Sequence, residues 1–323
     1  MEEITSLDNS LNPEIEFKNA FVVAVHRGQV DVVVEGEKDW TLCSVRGSLR
    51  ELKKDEKRES ITNLAVGDDV KIQVLRKGIG VVEEILPRRS ELCRPSTHRK
   101  HLKQILCANV DQVCIMVSVR EPRFKSQVID RLVVIALWGN VTPIVLVTKM
   151  DLVKAEEFDR IAEMYSGFQI PIIALSSVDK TGVDRVREIT KDKLTAFCGQ
   201  SGVGKSTLLN EILQEELAPT QEVNRKTSKG KHTTTWAEVF PLPEGGQIVD
   251  LPGNQQFGLW KIPEDMVSHF LPDFEKWGQE CHFQPCSHIH EPKCRVKQAL
   301  EEGDLNPDRY RNYIRIHESV SDK

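Results

Sequence analysis

The chain has 323 residues, roughly twice the size of a typical domain, so more than one compact unit is expected. With 39% hydrophobic and 29% charged residues, the composition is that of an ordinary soluble globular protein and excludes a disordered or collagenous chain. A formal net charge of −5 removes whole-molecule basicity as an argument for nucleic acid.

Residues 1–17 (MEEITSLDNSLNPEIEF) are acidic and lack an apolar segment, so they read as a flexible tail and not as a secretory signal. The longest apolar stretch, Leu132 to Trp138, is far shorter than the roughly 20 residues needed to cross a bilayer. A cytoplasmic protein without a membrane partner is expected. Residues 18–88 contain short apolar runs of period two, AFVVAVHRGQVDVVVEGEKDW, SVRGSLR and VGDDVKIQVLRKGIGVVEEIL, cut by Gly and Asp. That pattern predicts a small antiparallel β-barrel of the OB type, with the charged segment 51–60 as a surface loop.

Residues 89–104 read as a basic linker. Over 87–104, Arg88, Arg89, Arg94, Arg99, Lys100 and Lys103 stand against Glu91, so a solvated connector and a phosphate-contacting strip are both open. From residue 105 to 262 the texture changes: β-branched runs (ANVDQVCIMVSV, TPIVLVT, IPIIALSS, KLTAFCG) alternate with helical segments (SQVIDRLVVIALWGN, EEFDRIAEMYSG). Such alternation predicts a parallel sheet covered by helices, an α/β domain. Residues 263–323 hold a Cys/His cluster followed by helical sequence.

The strongest chemical signal is Gly199-Gln200-Ser201-Gly202-Val203-Gly204-Lys205-Ser206-Thr207, a G-x4-G-K-S loop between a strand and a helix. Glycines let main-chain N–H groups converge on phosphate, Lys205 neutralises the β and γ oxygens, and the Ser206 hydroxyl is a Mg²⁺ ligand. Downstream, Asp250-Leu-Pro-Gly253 supplies a carboxylate for the metal and a glycine N–H for the γ-phosphate, with Thr233 or Thr234 as a second Mg²⁺ hydroxyl. Upstream, Thr148-Lys149-Met150-Asp151 ends a strand. An aspartate there accepts from N1–H and the 2-amino group of guanine, a donor pair that adenine lacks, so Asp151 disfavours an ATPase. The following strand ends at Ser176-Ser177, placed either to offer N–H to the guanine carbonyl or simply to turn the chain. Both base-reading loops precede the phosphate loop, the order of a circular permutation.

Of eight cysteines, Cys43, Cys93, Cys107, Cys114 and Cys198 are scattered among apolar residues and read as core thiols. Cys281, Cys286, His288 and Cys294 instead form the ligand set of one closed structural zinc ion, whose binding would stabilise a segment with little core of its own.

Taken together, the barrel, RRSELCRP, ANVDQV, TKMD, GQSGVGKST, GKHTTT, DLPG and the Cys3His set resemble the circularly permuted GTPases of the ribosome small-subunit-dependent GTPase A (RsgA) family over about residues 18–315. The resemblance implies GTP hydrolysis to GDP and phosphate with Mg²⁺. It also implies late maturation of the small ribosomal subunit, contact with its rRNA, and stimulation by that subunit. A nucleotide-gated RNA-binding switch with incidental turnover is the competing reading, and a monomer is expected. Two departures stand out. Thr148 occupies the place of the usual Asn, and Asn254-Gln255-Gln256 follows DLPG where the family has a hydrophobic residue. His232, ahead of Asn254, is the candidate for orienting the attacking water. RNA contact is expected from the barrel with Phe21 and Trp40, from the basic strip, and from Arg309, Arg311 and Arg315.

Overall fold

Period-two burial closes the first five strands on themselves. In the computed structural model, which describes residues 16–26, 28–46, 49, 64–96, 101–214, 237–251 and 257–321, these strands are β1 (Glu16–Val25), β2 (Gln29–Val34), β3 (Trp40–Val45), β4 (Asp69–Arg76) and β5 (Ile79–Ile85). They pair in the cyclic order β1-β2-β3-β5-β4, with β4 returning to β1 and β3 parallel to β5. Alternate residues Val30, Val32 and Val34 of β2 meet Val22, Cys43, Val70, Ile72 and Val82 inside the barrel. The first strand begins at Glu16, within the stretch read as a tail.

The segment read as a basic linker contains β6 (Glu91–Pro95), which pairs antiparallel with β7 (Lys103–Ala108). Most of its described charges are already committed within the fold. Arg88 forks onto the buried Asp68 carboxylate at 2.6 and 2.8 Å, and Lys103 pairs with Glu91. Arg89 pairs with Asp111 at 2.7 Å, and Arg94 is 5% exposed and donates to Gln104. The phosphate-contacting strip is therefore narrowed: Arg94 is buried, and the partly buried Arg88 is committed to the Asp68 carboxylate. Arg99 and Lys100 lie outside the described residues.

The α/β unit runs β8 (Gln112–Ser118), α1 (Ser126–Trp138), β9 (Thr142–Thr148), α2 (Ala155–Met164), β10 (Ile172–Ala174), α3 (Val183–Thr190), β11 (Leu194–Gly199), α4 (Lys205–Leu213), β12 (Glu238–Pro241) and β13 (Gln247–Asp250). Its sheet order is β10-β9-β8-β11-β13-β12, parallel except for β12. Every residue of β8 and β11 is buried, as expected of strands covered on both faces. Barrel and sheet join through one strand pair, Ala24 opposite Glu238. The joint is tightened at Gly67, whose φ is +88° and where a Cβ would stand 2.0 Å from the Ala108 carbonyl oxygen.

The C-terminal unit is a 3-10 helix (Glu264–Phe270) followed by α5 (Pro272–Gly278), α6 (Arg295–Glu302) and α7 (Pro307–Ser321). It is clamped to α1 by Arg309, whose side chain is fully buried. The guanidinium bonds Asp130 of α1 and both oxygens of Asp273, and it stacks on Tyr165 and Phe168 at 4.7 and 4.2 Å. Asn312 donates to the second Asp130 oxygen at 2.6 Å. Arg309 is thus removed from the RNA-contact candidates, since its cation neutralises buried carboxyl groups. Arg311 and Arg315 remain exposed. Among the described residues no helix is long and apolar enough to cross a membrane.

Burial pushes the Asp273 carboxyl up to about 7, against main-chain N–H bonds from its own residue and Phe274 that pull it down. A carboxyl raised in the folded state contributes stability that is complete below its unfolded value of 3.8 and is lost as pH rises through about 7. Chemical denaturation of the wild type relative to Asp273→Asn should therefore show stability falling between pH 4 and pH 8. Parallel profiles for the two proteins would refute this.

Candidate functional site

Four strand ends point to one side of the sheet. The sheet order reverses between β8 and β11, since β8 is followed in sequence by β9 on one side while β11 returns on the other. Such a switch point leaves a crevice beyond the C-terminal ends of the strands. Thr148 ends β9, Leu175-Ser176 follows β10, Gly199 ends β11 and Asp250 ends β13.

The loop after β11 is built by its glycines. A Cβ on Gly199 would lie 2.8 Å from the Met116 carbonyl oxygen and 2.9 Å from Val203 Cγ2, so β8 and the loop close over it. Gly202 and Gly204 have φ of +81° and +94°, the left-handed turns that bring the chain into the first turn of α4. Gln200 accepts from the Val203 N–H at 3.3 Å, and Ser201, Ser206 and Thr207 are exposed along the loop and helix start. Lys205 is buried and its ammonium pairs directly with the Asp250 carboxylate across β11 and β13. The two groups expected at a phosphate and its cation are therefore side by side. The Ser206 hydroxyl and the Asp250 carboxylate are oxygen donors of the kind Mg²⁺ takes.

At β9 the Thr148 hydroxyl, 3% exposed, donates to the Val203 carbonyl at 2.6 Å, with the Val117 carbonyl 3.2 Å away. This tie between the end of β9 and the loop after β11 is not visible in a sequence motif. Lys149 adopts a left-handed φ of 60° and its ammonium bonds the Glu121 carbonyl. Asp151 is exposed, and its Oδ1 accepts from the Ser176 hydroxyl at 2.8 Å. Ser176 Oγ in turn accepts from the N–H groups of Val178 and Asp179. The Ser176 N–H itself donates to the Thr181 carbonyl at 3.0 Å, so this residue contributes through its hydroxyl and not through its amide. Ser177 is half-buried beside it. His232, Thr233, Thr234, Gly253 and Asn254 lie outside the described residues.

In the C-terminal unit, one ligand atom from each of Cys281, Cys286, His288 and Cys294 lies within 4.8 Å of all the others. Sγ of Cys281 and Sγ of Cys294 are 3.8 Å apart, and each is 3.6 or 3.5 Å from His288 Nδ1. Tetrahedral coordination with metal–sulfur bonds of about 2.3 Å places ligand atoms roughly 3.7 Å apart, so the set could hold a metal ion. A disulfide needs about 2.05 Å, which this pair does not approach. Burial raises the Cys286 thiol to about 12, raises Cys294, and lowers His288, which favours the neutral imidazole that a metal ligand must be. The hydroxyls of Tyr310 and Tyr313 donate to the carbonyls of His288 and Ser287 at 2.8 and 2.5 Å, fixing the ligand loop to α7. His282 and His290 are exposed, outside the set. The other five cysteines are buried and unbridged, in line with the core reading.

A family model described as RsgA GTPase matches residues 85–260. A small ribosomal subunit biogenesis GTPase RsgA of Ruminiclostridium cellulolyticum is 36% identical over 282 residues, 87% of this chain and 86% of that relative. One from Shewanella oneidensis is 36% identical over 275 residues, 82% and 77% of the two chains. Among solved structures, YjeQ from Thermotoga maritima aligns with a TM-score of 0.73 at 30% identity, covering 95% of this chain and all of that one. YloQ, described as a circularly permuted GTPase, aligns with a TM-score of 0.70 at 28% identity, covering 95% and 96%.

Proposed function

Because the chain belongs to the RsgA GTPase family and is a GTP hydrolase, we propose that it acts as a late maturation factor of the small ribosomal subunit, with turnover stimulated by that subunit. The observation that carries the reading is the convergence of Thr148, Asp151, the Gly199–Thr207 loop and Asp250 at one end of the parallel sheet. In this reading the N–H groups of Gly199, Gln200, Ser201, Gly202, Val203 and Gly204 face the phosphates, and Lys205 moves from Asp250 to the β and γ oxygens. Ser206, Asp250 and Thr233 or Thr234 would hold Mg²⁺, which neutralises charge developing on the phosphate oxygens. Gly253 would meet the γ-phosphate, and His232 would orient the attacking water. Asp151, held by Ser176, reads the guanine edge, with Lys149 and Ser177 flanking the base.

We assign Cys281, Cys286, His288 and Cys294 to one structural zinc ion. Three thiolates and one imidazole leave no open position for water, which suits a folding role and not catalysis. The proposed units are the barrel, the α/β GTPase domain and the zinc unit, in a cytoplasmic monomer. Contact with rRNA is proposed for the barrel and for the exposed Arg311 and Arg315.

Purified small subunits should raise GTP turnover about a hundredfold, equal to ~3 kcal/mol of barrier, with Lys205→Ala inactive in both conditions. Unchanged turnover, with GTP still bound, would overturn the assembly-factor reading. Protein prepared without chelator should contain one zinc per chain by elemental analysis. Chelation should unfold the C-terminal unit and leave GTP binding largely intact; a zinc content near zero would contradict the site.

A further inference from the structure

The place usually held by an asparagine carboxamide carries a single hydroxyl in this chain, and the geometry shows where its one proton goes. Thr148 Oγ1 is 2.6 Å from the Val203 carbonyl oxygen. Two oxygens that close repel unless a proton lies between them, and a carbonyl has none to give, so the proton is that of Thr148. The second nearby acceptor, the Val117 carbonyl at 3.2 Å, is also main chain. With 3% of the residue exposed, the hydroxyl is turned into the protein, toward the phosphate loop and β8. A carboxamide has two N–H donors and can brace the loop while donating to a ligand; a hydroxyl already bonded at 2.6 Å has nothing left to donate.

Guanine offers acceptors at O6 and N7 on one edge and donors at N1 and the 2-amino group on another. Asp151 is the complementary acceptor for the donor edge, with its Oδ1 fixed by Ser176 and the carboxylate itself exposed. We infer that Thr148 acts in this chain as the brace of the phosphate loop, and that guanine is recognised from its N1 and 2-amino edge without a hydrogen bond from position 148 to N7. The inference rests on the guanine-nucleotide reading given above. Thr148 is accordingly a positioning residue: it acts on the phosphates through Val203.

The test is equilibrium binding of GDP, 7-deaza-GDP, in which N7 becomes C–H, and inosine diphosphate, which lacks the 2-amino group. The wild-type protein should bind 7-deaza-GDP within threefold of GDP and inosine diphosphate at least tenfold more weakly. A loss above threefold on 7-deaza-GDP would overturn the inference. Inosine diphosphate bound as tightly as GDP would instead remove the guanine reading at Asp151, on which the inference stands. Thr148→Ser, which keeps the hydroxyl, should retain GDP affinity. Thr148→Val should lose about tenfold on GDP and 7-deaza-GDP alike, as expected when a carbonyl loses its donor. A Thr148→Val loss confined to GDP would show that the hydroxyl served the base.

Discussion

The order of the parallel strands is the constraint on which the site depends. With β8 at the centre, β9 and β10 to one side and β11 and β13 to the other, four loops from separate parts of the sequence end at the same edge of the sheet. Permuting the chain changes which loop is met first but not which strands are neighbours, so the loops after β9, β10, β11 and β13 keep their mutual geometry. That geometry is then fixed by short polar ties. Thr148 joins β9 to the phosphate loop, Ser176 joins the loop after β10 to Asp151, and Lys205 joins α4 to the end of β13. The Thr148 and Lys205 ties are shielded from water, which strengthens the hold on their partners.

The same logic holds the three units together. At the barrel, Asp68 is completely buried and both its oxygens are held by Arg88, while Gly67 lets the chain approach Ala108 closely. At the other end, Arg309 reaches from α7 to Asp130 on α1 and to Asp273 on α5. Removing one member of such a buried set leaves an uncompensated charge, which costs far more than an exposed pair contributes. Arg131 of α1 donates to the Phe257 carbonyl at 2.8 Å, just beyond the D-x-x-G sequence. One helix is thereby in contact both with the segment following that motif and with the clamp to the C-terminal unit.

Much of this was legible in the sequence, for definite reasons. Period-two burial in β2 marked the barrel, and continuous apolar runs in β8 and β11 marked a sheet covered on both faces. The phosphate loop and the Cys3His set were readable because their chemistry demands fixed residue types at fixed spacing. Pairing between distant residues was not. Arg88, Arg94 and Arg309 count as positive charge in any sequence sum, yet their carboxyl or amide partners come from other elements. Basic sequence resembles a ligand surface until those partners are known. The roles of Tyr310 and Tyr313 left a faint signal, since residues three apart share one face of α7, but their targets are main-chain carbonyls with no sequence signature. Thr148 was recognisable as a departure, whereas its bond to Val203 required the fold.

The central claim is that the converging loops form a guanine-nucleotide site in which hydrogen-bond polarity at Asp151 selects the base. It is tested most directly by competition binding of guanosine and xanthosine diphosphates to the wild type and to Asp151→Asn. Xanthine carries a carbonyl where guanine has its 2-amino group, so an amide at position 151 meets it with a donor in place of an acceptor. The account predicts that the substitution reverses the preference, from guanosine to xanthosine diphosphate, by about a hundredfold or more. An Asp151→Asn protein that still prefers guanosine diphosphate as strongly as the wild type would contradict it.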